Sequence, residues 1–523
     1  MLLEAHHIKI YVKDRLLVEA PHLYIGANDR IGLVGRNGSG KTTLMEVLAG
    51  MKSPDEGMVT LRARCEFIPQ LKRTDTTKSG GELTQEIIQN TLLKEPELLF
   101  ADEPTTNLDT SHIEWLEKKL QNWQGAFVIV SHDRTFLDAL CTSIWEIRDG
   151  KLNVYKGNYS KYAEQRELED RQHDQAYEQY MQEKKRLERA IRLKEEKAER
   201  ATKKPRKVSP SESKITGAKP YFAKKQKKMQ KTAKALETRL EKLEKVEKRR
   251  ELPPIRMNLL NEDTFKGRII MRVKDLSGTI GKRILWQPAS FNVRGGDKLA
   301  IIGPNGCGKT TLVKSIIRPN EHVTLSPAVK IGYFSQNIDL LDINKSVLDN
   351  VRSTSSQDET LLRTVLARLH FFRDDVYKPV AVLSGGERVK VALAKLFVSD
   401  VNTLVLDEPT NFLDIETIEA LESLLQEYEG TVLFVSHDRR FIKNIAKRIL
   451  AFDHSRITVF EGSYEQFLTY VPPDTVLKNR EEQLLLLETK ISDVLSRLSL
   501  EPSEELEKEF QLLLAEKRKL QSI

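Results

Sequence analysis

The chain has 523 residues, 39% of them hydrophobic and 31% charged, which suits two to four packed, water-soluble domains. It carries 84 Lys/Arg against 76 Asp/Glu, a net charge of +8, and only three cysteines (Cys65, Cys141, Cys307), none in a CxxC pair. No apolar run reaches the roughly 18 residues of a membrane-spanning helix. The cysteine count excludes a disulfide scaffold, a four-cysteine zinc site and a cysteine-ligated iron–sulfur cluster. The N-terminal MLLEAHHIKIYVKD alternates as a strand does and lacks a secretory pattern. A reducing cytoplasm is the expected compartment.

In chain order, the first strand–loop–helix unit is DRIGLVG, GRNGSGKT and TTLMEVLAG. Its loop has GxxxxGK[ST] spacing: glycines turn backbone N–H groups inward around phosphates, and the next helix points its positive end at them. The candidate loop residues are Gly35, Asn37, Gly38, Gly40, Lys41, Thr42 and Thr43. Lys41 is expected to reach the β- and γ-phosphates, and Thr42 to ligate Mg²⁺. Gln70 follows an apolar strand, where its amide would reach metal and water. SGGE begins at Ser79, and LLFADE reads as a buried strand ending in Asp102-Glu103. Asp102 would hold Mg²⁺ through water, and Glu103 would polarise the attacking water as general base. His132 follows the strand AFVIV and is assigned to sensing the γ-phosphate.

A charged, helix-favouring stretch then runs from about Tyr162 to Ala201. It breaks at KKPRKVSPSESKITGAKPYF, resumes through KKQKKMQKTAKALETRLEKLEKVEKRREL and stops at Pro253-Pro254. That pattern predicts an antiparallel helical hairpin, reaching about 45–60 Å at 1.5 Å per residue. Between Lys161 and Arg250 there are 29 Lys/Arg and 16 Asp/Glu; within Ala201–Lys234 there are 12 Lys/Arg and one acid, Glu212. A polyanion contact is expected, RNA before DNA or membrane. Lys203, Lys204, Arg206, Lys207, Lys214, Lys219, Lys224 and Lys225 are the candidate contacts. Tyr221 and Phe222 either stack on a base or pack between the helices.

The second half repeats the first in order. GPNGCGKTTL begins at Gly303, YFSQ ends at Gln336, SGGE starts at Ser384, TLVLDEPTNFLD ends at Asp414, and VLFVSHDR contains His437. Lys309 lies 268 residues after Lys41 and Gln336 lies 266 after Gln70; the three later motifs are each offset by 305. The second half therefore holds 39 more residues between its Gln and its SGGE. Gly303, Asn305, Gly306, Gly308, Lys309, Thr310 and Thr311 form its candidate loop. Thr310, Gln336 and Asp407 are its metal candidates, and Glu408 and His437 its catalytic candidates. From Asp474 the chain ends in two amphipathic segments around Pro502, either a further contact surface or a helix pair packed on a neighbour.

Together these motifs resemble the ATP-binding cassette superfamily, for which SGGE between the Gln-bearing strand and DEPT is the signature. The resemblance implies head-to-tail cassettes with each nucleotide between one phosphate loop and the other signature. The first ATP would then meet Ser384, Gly385 and Gly386, and the second Ser79, Gly80 and Gly81. ATP would act as glue, and hydrolysis would release the halves. Only eight residues (Leu71–Lys78) separate Gln70 from the first SGGE, about two helical turns. That is too short for the helical subdomain through which transporter cassettes meet a membrane partner.

Two cassettes joined by a basic helical hairpin resemble the ABC-F family of translation ATPases. Within it the chain is similar to the Vga-type resistance proteins in its short first gap, KSGGE, GAKPYFAKKQKK and HFFRDDVYKPVAVLSGGERVKVALAK. The expected fold is α/β, two tandem P-loop ATPase domains joined by a long helical hairpin, with a short C-terminal helical extension. The expected divisions are 1–160, 161–254, 255–473 and 474–523. The resemblance implies a cytoplasmic ATPase with ATP and Mg²⁺ that enters the exit (E) site of the 70S ribosome. Its linker would contact 23S rRNA near P-site tRNA and the peptidyl-transferase centre, displacing lincosamides, streptogramin A and pleuromutilins. No membrane partner and no DNA are expected. A housekeeping translation factor and the ATPase of a separate drug exporter are the alternatives.

Two departures stand out. Tyr11 is the candidate for adenine stacking in the first half, against ordinary strand packing; Ile280 occupies the matching place in the second, which puts stacking there in doubt. Cys307 replaces the usual small residue of the second phosphate loop.

Overall fold

A computed structural model describes residues 1–70, 80–106, 108–200, 218–246, 266–281, 283–318, 320–335, 340–453, 455–470 and scattered positions between 487 and 517. These fall into two compact units, Met1–Val459 and Phe460–Ile523.

The first cassette opens with β1 (Leu3–Val12), β2 (Arg15–Ile25), β3 (Arg30–Gly35), α1 (Lys41–Leu48), β4 (Glu56–Leu61) and β5 (Cys65–Ile68). It continues with α2 (Gly80–Leu92), β6 (Leu98–Asp102), α3 (Thr110–Gln121), β7 (Ala126–Val130), α4 (Arg134–Leu140), β8 (Ser143–Arg148) and β9 (Lys151–Lys156). The nine strands form one sheet in the order β4-β1-β2-β9-β8-β3-β7-β6-β5. Every residue of β6 and β7 is buried. Their unbroken apolar runs are those of central parallel strands covered on both faces, which do not alternate. The phosphate loop, Asp102-Glu103 and His132 follow β3, β6 and β7, so all three leave the carboxyl ends of neighbouring parallel strands, where open α/β sheets place their ligands.

The linker helices are α5 (Tyr159–Arg200) and α6 (Ala218–Glu241), about 63 and 36 Å long at the α-helical rise. They run antiparallel: Arg239 pairs with Glu183 at 3.1 Å, and Leu187, Ala198 and Ala233 are buried. The hairpin differs from expectation in two ways. α6 begins at Ala218, so Pro220 and Tyr221 lie in its first turn and Phe222 just after it, not in the break. Proline is tolerated there because a first-turn N–H has no intrahelical acceptor to lose. The helix also ends at Glu241, well before Pro253, although the following KLEKV is as helix-favouring as what precedes it; the residue types do not explain that stop.

The second cassette holds β10 (Ile269–Ile280), β11 (Arg283–Arg294), β12 (Lys298–Ile302), α7 (Lys309–Ile317), β13 (Val323–Leu325) and β14 (Ile331–Phe334). Then come α8 (Val347–Arg352), α9 (Glu359–Arg368), α10 (Gly385–Val398), β15 (Thr403–Asp407), α11 (Ile415–Glu427), β16 (Thr431–Val435), α12 (Arg439–Ile445), β17 (Arg448–Asp453) and β18 (Arg456–Glu461). Its strands split into β11-β10-β13 and β14-β15-β16-β12-β17-β18. The extra residues before its signature are α8, α9 and two 3-10 turns, Arg373–Tyr377 and Val380–Val382.

In the second unit, α13 (Tyr464–Thr469) starts with a Ser463–Gln466 capping box. Phe460 packs against Phe467 and Tyr470, with ring centroids 5.8 and 5.0 Å away. Most of the amphipathic C-terminal stretch lies outside the described residues. Among the described residues, no helix is long and apolar enough to cross a membrane.

Candidate nucleotide sites

Each phosphate loop is shaped by its glycines. Gly40 (φ +97°) and Gly308 (φ +105°) sit in the left-handed region, and a Cβ on either would fall within 2.8 Å of a β-strand side chain beneath it. Glycine alone avoids both penalties. Lys41 Nζ donates to the carbonyls of Gly35 (2.8 Å) and Arg36 (3.0 Å). Lys309 Nζ donates to Gly303 and Pro304, both at 2.9 Å. Both ammonium groups are thus pinned under their own loops. Burial lowers the Lys41 pKa, with Glu103, Asp414 and Asp102 opposing.

The carboxylates follow the same plan twice. Thr42 Oγ1 donates to Asp102 Oδ2 at 2.6 Å. Asp407, whose pKa burial raises, is hydrogen-bonded by Thr310 in the same way. Glu103 (φ +52°) and Glu408 (φ +51°) adopt left-handed backbone at matching positions, a strain of order 1–2 kcal/mol for a non-glycine residue. Both are buried. Burial pushes the Glu103 carboxyl up to about 8 and that of Glu408 up to about 7. His132 Nε2 lies 3.2 Å from Glu103 Oε1 and His437 Nε2 lies 3.3 Å from Glu408 Oε1. Burial lowers both imidazoles to about 3, so each is a neutral hydrogen-bonding group at pH 7.

A cavity of about 420 Å³ opens at the second loop. Asn305, Gly306, Lys309, Thr310 and Ile280 line it from the second cassette, and Glu103, Thr105, His132 and Asp133 from the first; Glu408 and His437 also reach it. Ile280 therefore stands at the nucleotide site. Tyr11 is held to the neighbouring strand, its N–H donating to Asp55 (2.7 Å) and its hydroxyl to Glu56 (3.4 Å).

The cassettes meet head to tail. Asn37 Nδ2 donates to the Phe412 carbonyl at 2.8 Å, and Arg36 pairs with Glu416 at 2.6 Å. A Cβ on Gly386 would lie 2.9 Å from Phe412 O and 3.2 Å from Asn37 Nδ2, whereas one on Gly385 would meet open space. The second signature is thus packed beside the first phosphate loop. Ser384 closes a capping box with Glu387, to which its hydroxyl donates at 2.7 Å. Gly80 and Gly81 open α2 directly. Gln70 is exposed. Ser79 and Gln336 lie outside the described residues, as do Lys203, Lys204, Arg206, Lys207 and Lys214. Lys224 is exposed on α6; Lys219 and Lys225 fall on the same helix.

Two of the interface residues that sequence reasoning missed meet the phosphate loops directly. Asp109 caps α3 by accepting from His112 N (3.0 Å) and, across the interface, accepts from Asn305 N (2.9 Å). Asp414 caps α11 from Thr417 N (3.0 Å) and accepts from Asn37 N (2.9 Å). Burial works against both charges. Even so, the Asn305, Ser111 and His112 hydrogen bonds hold Asp109 well below the usual carboxylate range, and Lys390 with the Asn37 N–H does so for Asp414. Their signal was the repeat itself, since each ends a DEPT segment at the shared offset of 305.

Known proteins fit this geometry. Residues 18–72 and 286–411 match a family model described as ABC transporter, and residues 145–257 match a second model with that description, the cassette extension. The ribosome protection protein VmlR of Bacillus subtilis is 30% identical over 94% of this chain and 92% of its own. The erythromycin resistance ATP-binding protein MsrA of Staphylococcus epidermidis is 33% identical over 82% of this chain and 92% of its own. Among solved structures, the RNase-L Inhibitor superposes with TM-score 0.59 at 18% identity, covering 89% of this chain and 92% of that one. Duplicated motifs, interlocked cassettes and full-length relatives lead to one conclusion: the chain belongs to the ABC-F family of ATP-binding cassette proteins and is an ATP hydrolase.

Proposed function

We propose that the protein binds the bacterial ribosome while ATP holds its cassettes closed, and leaves when ATP is hydrolysed. The observation that carries this reading is the hairpin. α6 holds eight Lys/Arg against two Glu, and Lys224, Lys227, Lys228, Lys231 and Lys234 are exposed along it. Rows of exposed lysine along a linker helix suit the phosphates of folded RNA. VmlR, by name a ribosome protection protein, and MsrA, by name an erythromycin resistance protein, support the choice of ribosome over other RNA.

The residues also suit Mg²⁺ delivered with ATP. Asp407 Oδ1 is buried without a hydrogen-bond partner, and Glu103 Oε1 and Glu408 Oε1 are buried with only the histidine Nε2 atoms beside them, at 3.2 and 3.3 Å. Among the described residues no cluster of three or more His, Cys, Asp and Glu could hold a metal alone, but Mg²⁺ at phosphates needs only one or two protein oxygens and keeps its waters. Thr42 with Asp102 and Thr310 with Asp407 would hold it. When bound it neutralises charge developing on the phosphates. Glu103 and Glu408 take a proton from water, and the neutral histidines beside them orient the carboxylates.

In the finer reading the protein is cytoplasmic and occupies the E site, and its linker touches 23S rRNA near P-site tRNA and the peptidyl-transferase centre. It there displaces lincosamides, streptogramin A or pleuromutilins. The test is a reconstituted translation reaction stalled by a lincosamide. Restoration of peptide synthesis by the protein with ATP is expected. Ribosome binding without restoration for any of the three drug classes would leave the housekeeping role.

A further inference from the structure

We infer that Arg134 and Arg439 are positioning residues that make the two hydrolytic sites open and close as one. Each lies two residues after its own site's histidine and crosses to the other cassette. Arg134 is 1% exposed. Its guanidinium forks onto Glu422 of α11, with an Nη1–Oε2 distance of 3.3 Å; Glu419 lies 3.7 Å away and Asp438 3.8 Å away. Arg439 forks onto Glu117 of α3, with an Nη1–Oε2 distance of 3.4 Å, and Asp133 lies 3.9 Å away. Arg134, Glu117 and Asp133 sit 305 residues before Arg439, Glu422 and Asp438, the offset of the catalytic motifs. The two ion-pair sets are therefore one device built twice about a pseudo-twofold axis.

The aspartates tie this device to the chemistry. Asp133 follows His132 and caps α4, accepting from Thr135 N (2.9 Å) and Phe136 N (3.0 Å). Asp438 follows His437 and caps α12, accepting from Arg440 N (2.9 Å) and Phe441 N (3.0 Å). Each arginine thus faces the residue next to the other site's histidine. Neither arginine lines the nucleotide cavity, whereas Asp133, Asp438 and both histidines do, so the arginines act through the histidine loops. A guanidinium is charged at every physiological pH and its planar fork resists reorientation. Breaking the buried Arg134–Glu422 pair leaves an uncompensated charge, and breaking the half-buried Arg439–Glu117 pair does so to a lesser degree. A hinge that opened one site alone would have to break a pair while the other held, so the arrangement favours joint opening. This inference rests on ATP hydrolysis by two cassettes and is independent of the ribosomal reading.

The test is ATP turnover of Glu408→Gln as a fraction of its parent, measured in the wild-type background and in an Arg134→Gln/Arg439→Gln background. With the arginines in place, the trapped second site holds the first shut, and about a tenth or less of parental turnover is expected, the size of a typical coupling. Without them the first site works alone, and about half is expected, as for independent sites. A merely structural role would lower turnover in both backgrounds but leave the two fractions equal, which overturns the inference. About half in the wild-type background overturns it too. Thermal melting and ATP binding report folding. If the Gln pair does not fold, Arg134→Lys/Arg439→Lys carries the test, keeping the charge but not the fork. A fraction above the wild-type value then supports the inference, and an unchanged one overturns it.

Discussion

The two cassettes agree where ATP is cleaved and differ around it. Lysine, threonine, aspartate, strained glutamate and neutral histidine recur with nearly the same contacts in both halves. Around them, the second cassette inserts α8 and α9 ahead of its signature, where the first has only residues 71–79 before α2. Ile280 stands in the second cavity where the first half offers Tyr11. Duplication has thus kept the residues around the phosphates, while the residue beside the second cavity and the segment ahead of the signature have diverged. Two chemically equal sites in unequal surroundings can share a reaction without sharing an affinity or a partner.

The largest effect that would break the comparison comes from the bases. Replacing both Glu103 and Glu408 with Gln should lower turnover at least 100-fold, the usual worth of a general base, with ATP binding retained. If turnover survives, neither glutamate is the base.

Next is pH. Burial disfavours the carboxylate form of both glutamates, and only the deprotonated group accepts a proton, so turnover should rise with pH. The Glu408→Gln protein, working through Glu103, should reach half-maximal turnover at higher pH than Glu103→Gln, following the order of about 8 against about 7. Coincident profiles would show the two environments to be equivalent once nucleotide is bound.

A smaller, one-sided effect is expected from Gly386→Ala. Its methyl meets Phe412 O at 2.9 Å and Asn37 Nδ2 at 3.2 Å, so closure over the first loop should weaken about tenfold, for roughly 1–2 kcal/mol of strain. Gly385→Ala, facing open space, should change little. Equal effects, read as ATP-dependent closure, would contradict the head-to-tail packing.

The smallest effect concerns the base. Tyr11→Ala should weaken ATP binding at the first site about fivefold or more if the ring stacks on adenine, since such stacking is worth about 1–3 kcal/mol. Ile280→Ala should cost the second site less. Nucleotide titrations of the single variants separate the two.

Much of the chemistry was legible in the sequence because it is local. GxxxxGK[ST] carries its own glycine geometry, and LLFADE and TLVLDE announce buried strands with carboxylates at their ends. The interface was less legible. Asp109 and Asp414 look like ordinary helix caps until the other cassette is brought up to their second oxygen. Glu117 and Glu422 look like solvated helix charges until Arg439 and Arg134 reach them. Contacts more than 190 residues apart leave no spacing to read. The start of α6 was misplaced because Pro220 reads as a breaker, although a helix accepts proline in its first turn.

On the proposed function, ATP-closed cassettes present the hairpin to the ribosome. The most direct test is co-sedimentation of the Glu103→Gln/Glu408→Gln protein with purified 70S ribosomes, with and without ATP. Pelleting that requires ATP and weakens steeply with salt is the result expected of a closed protein gripping rRNA phosphates. Folded, ATP-bound protein that stays in the supernatant at every salt concentration would contradict the account.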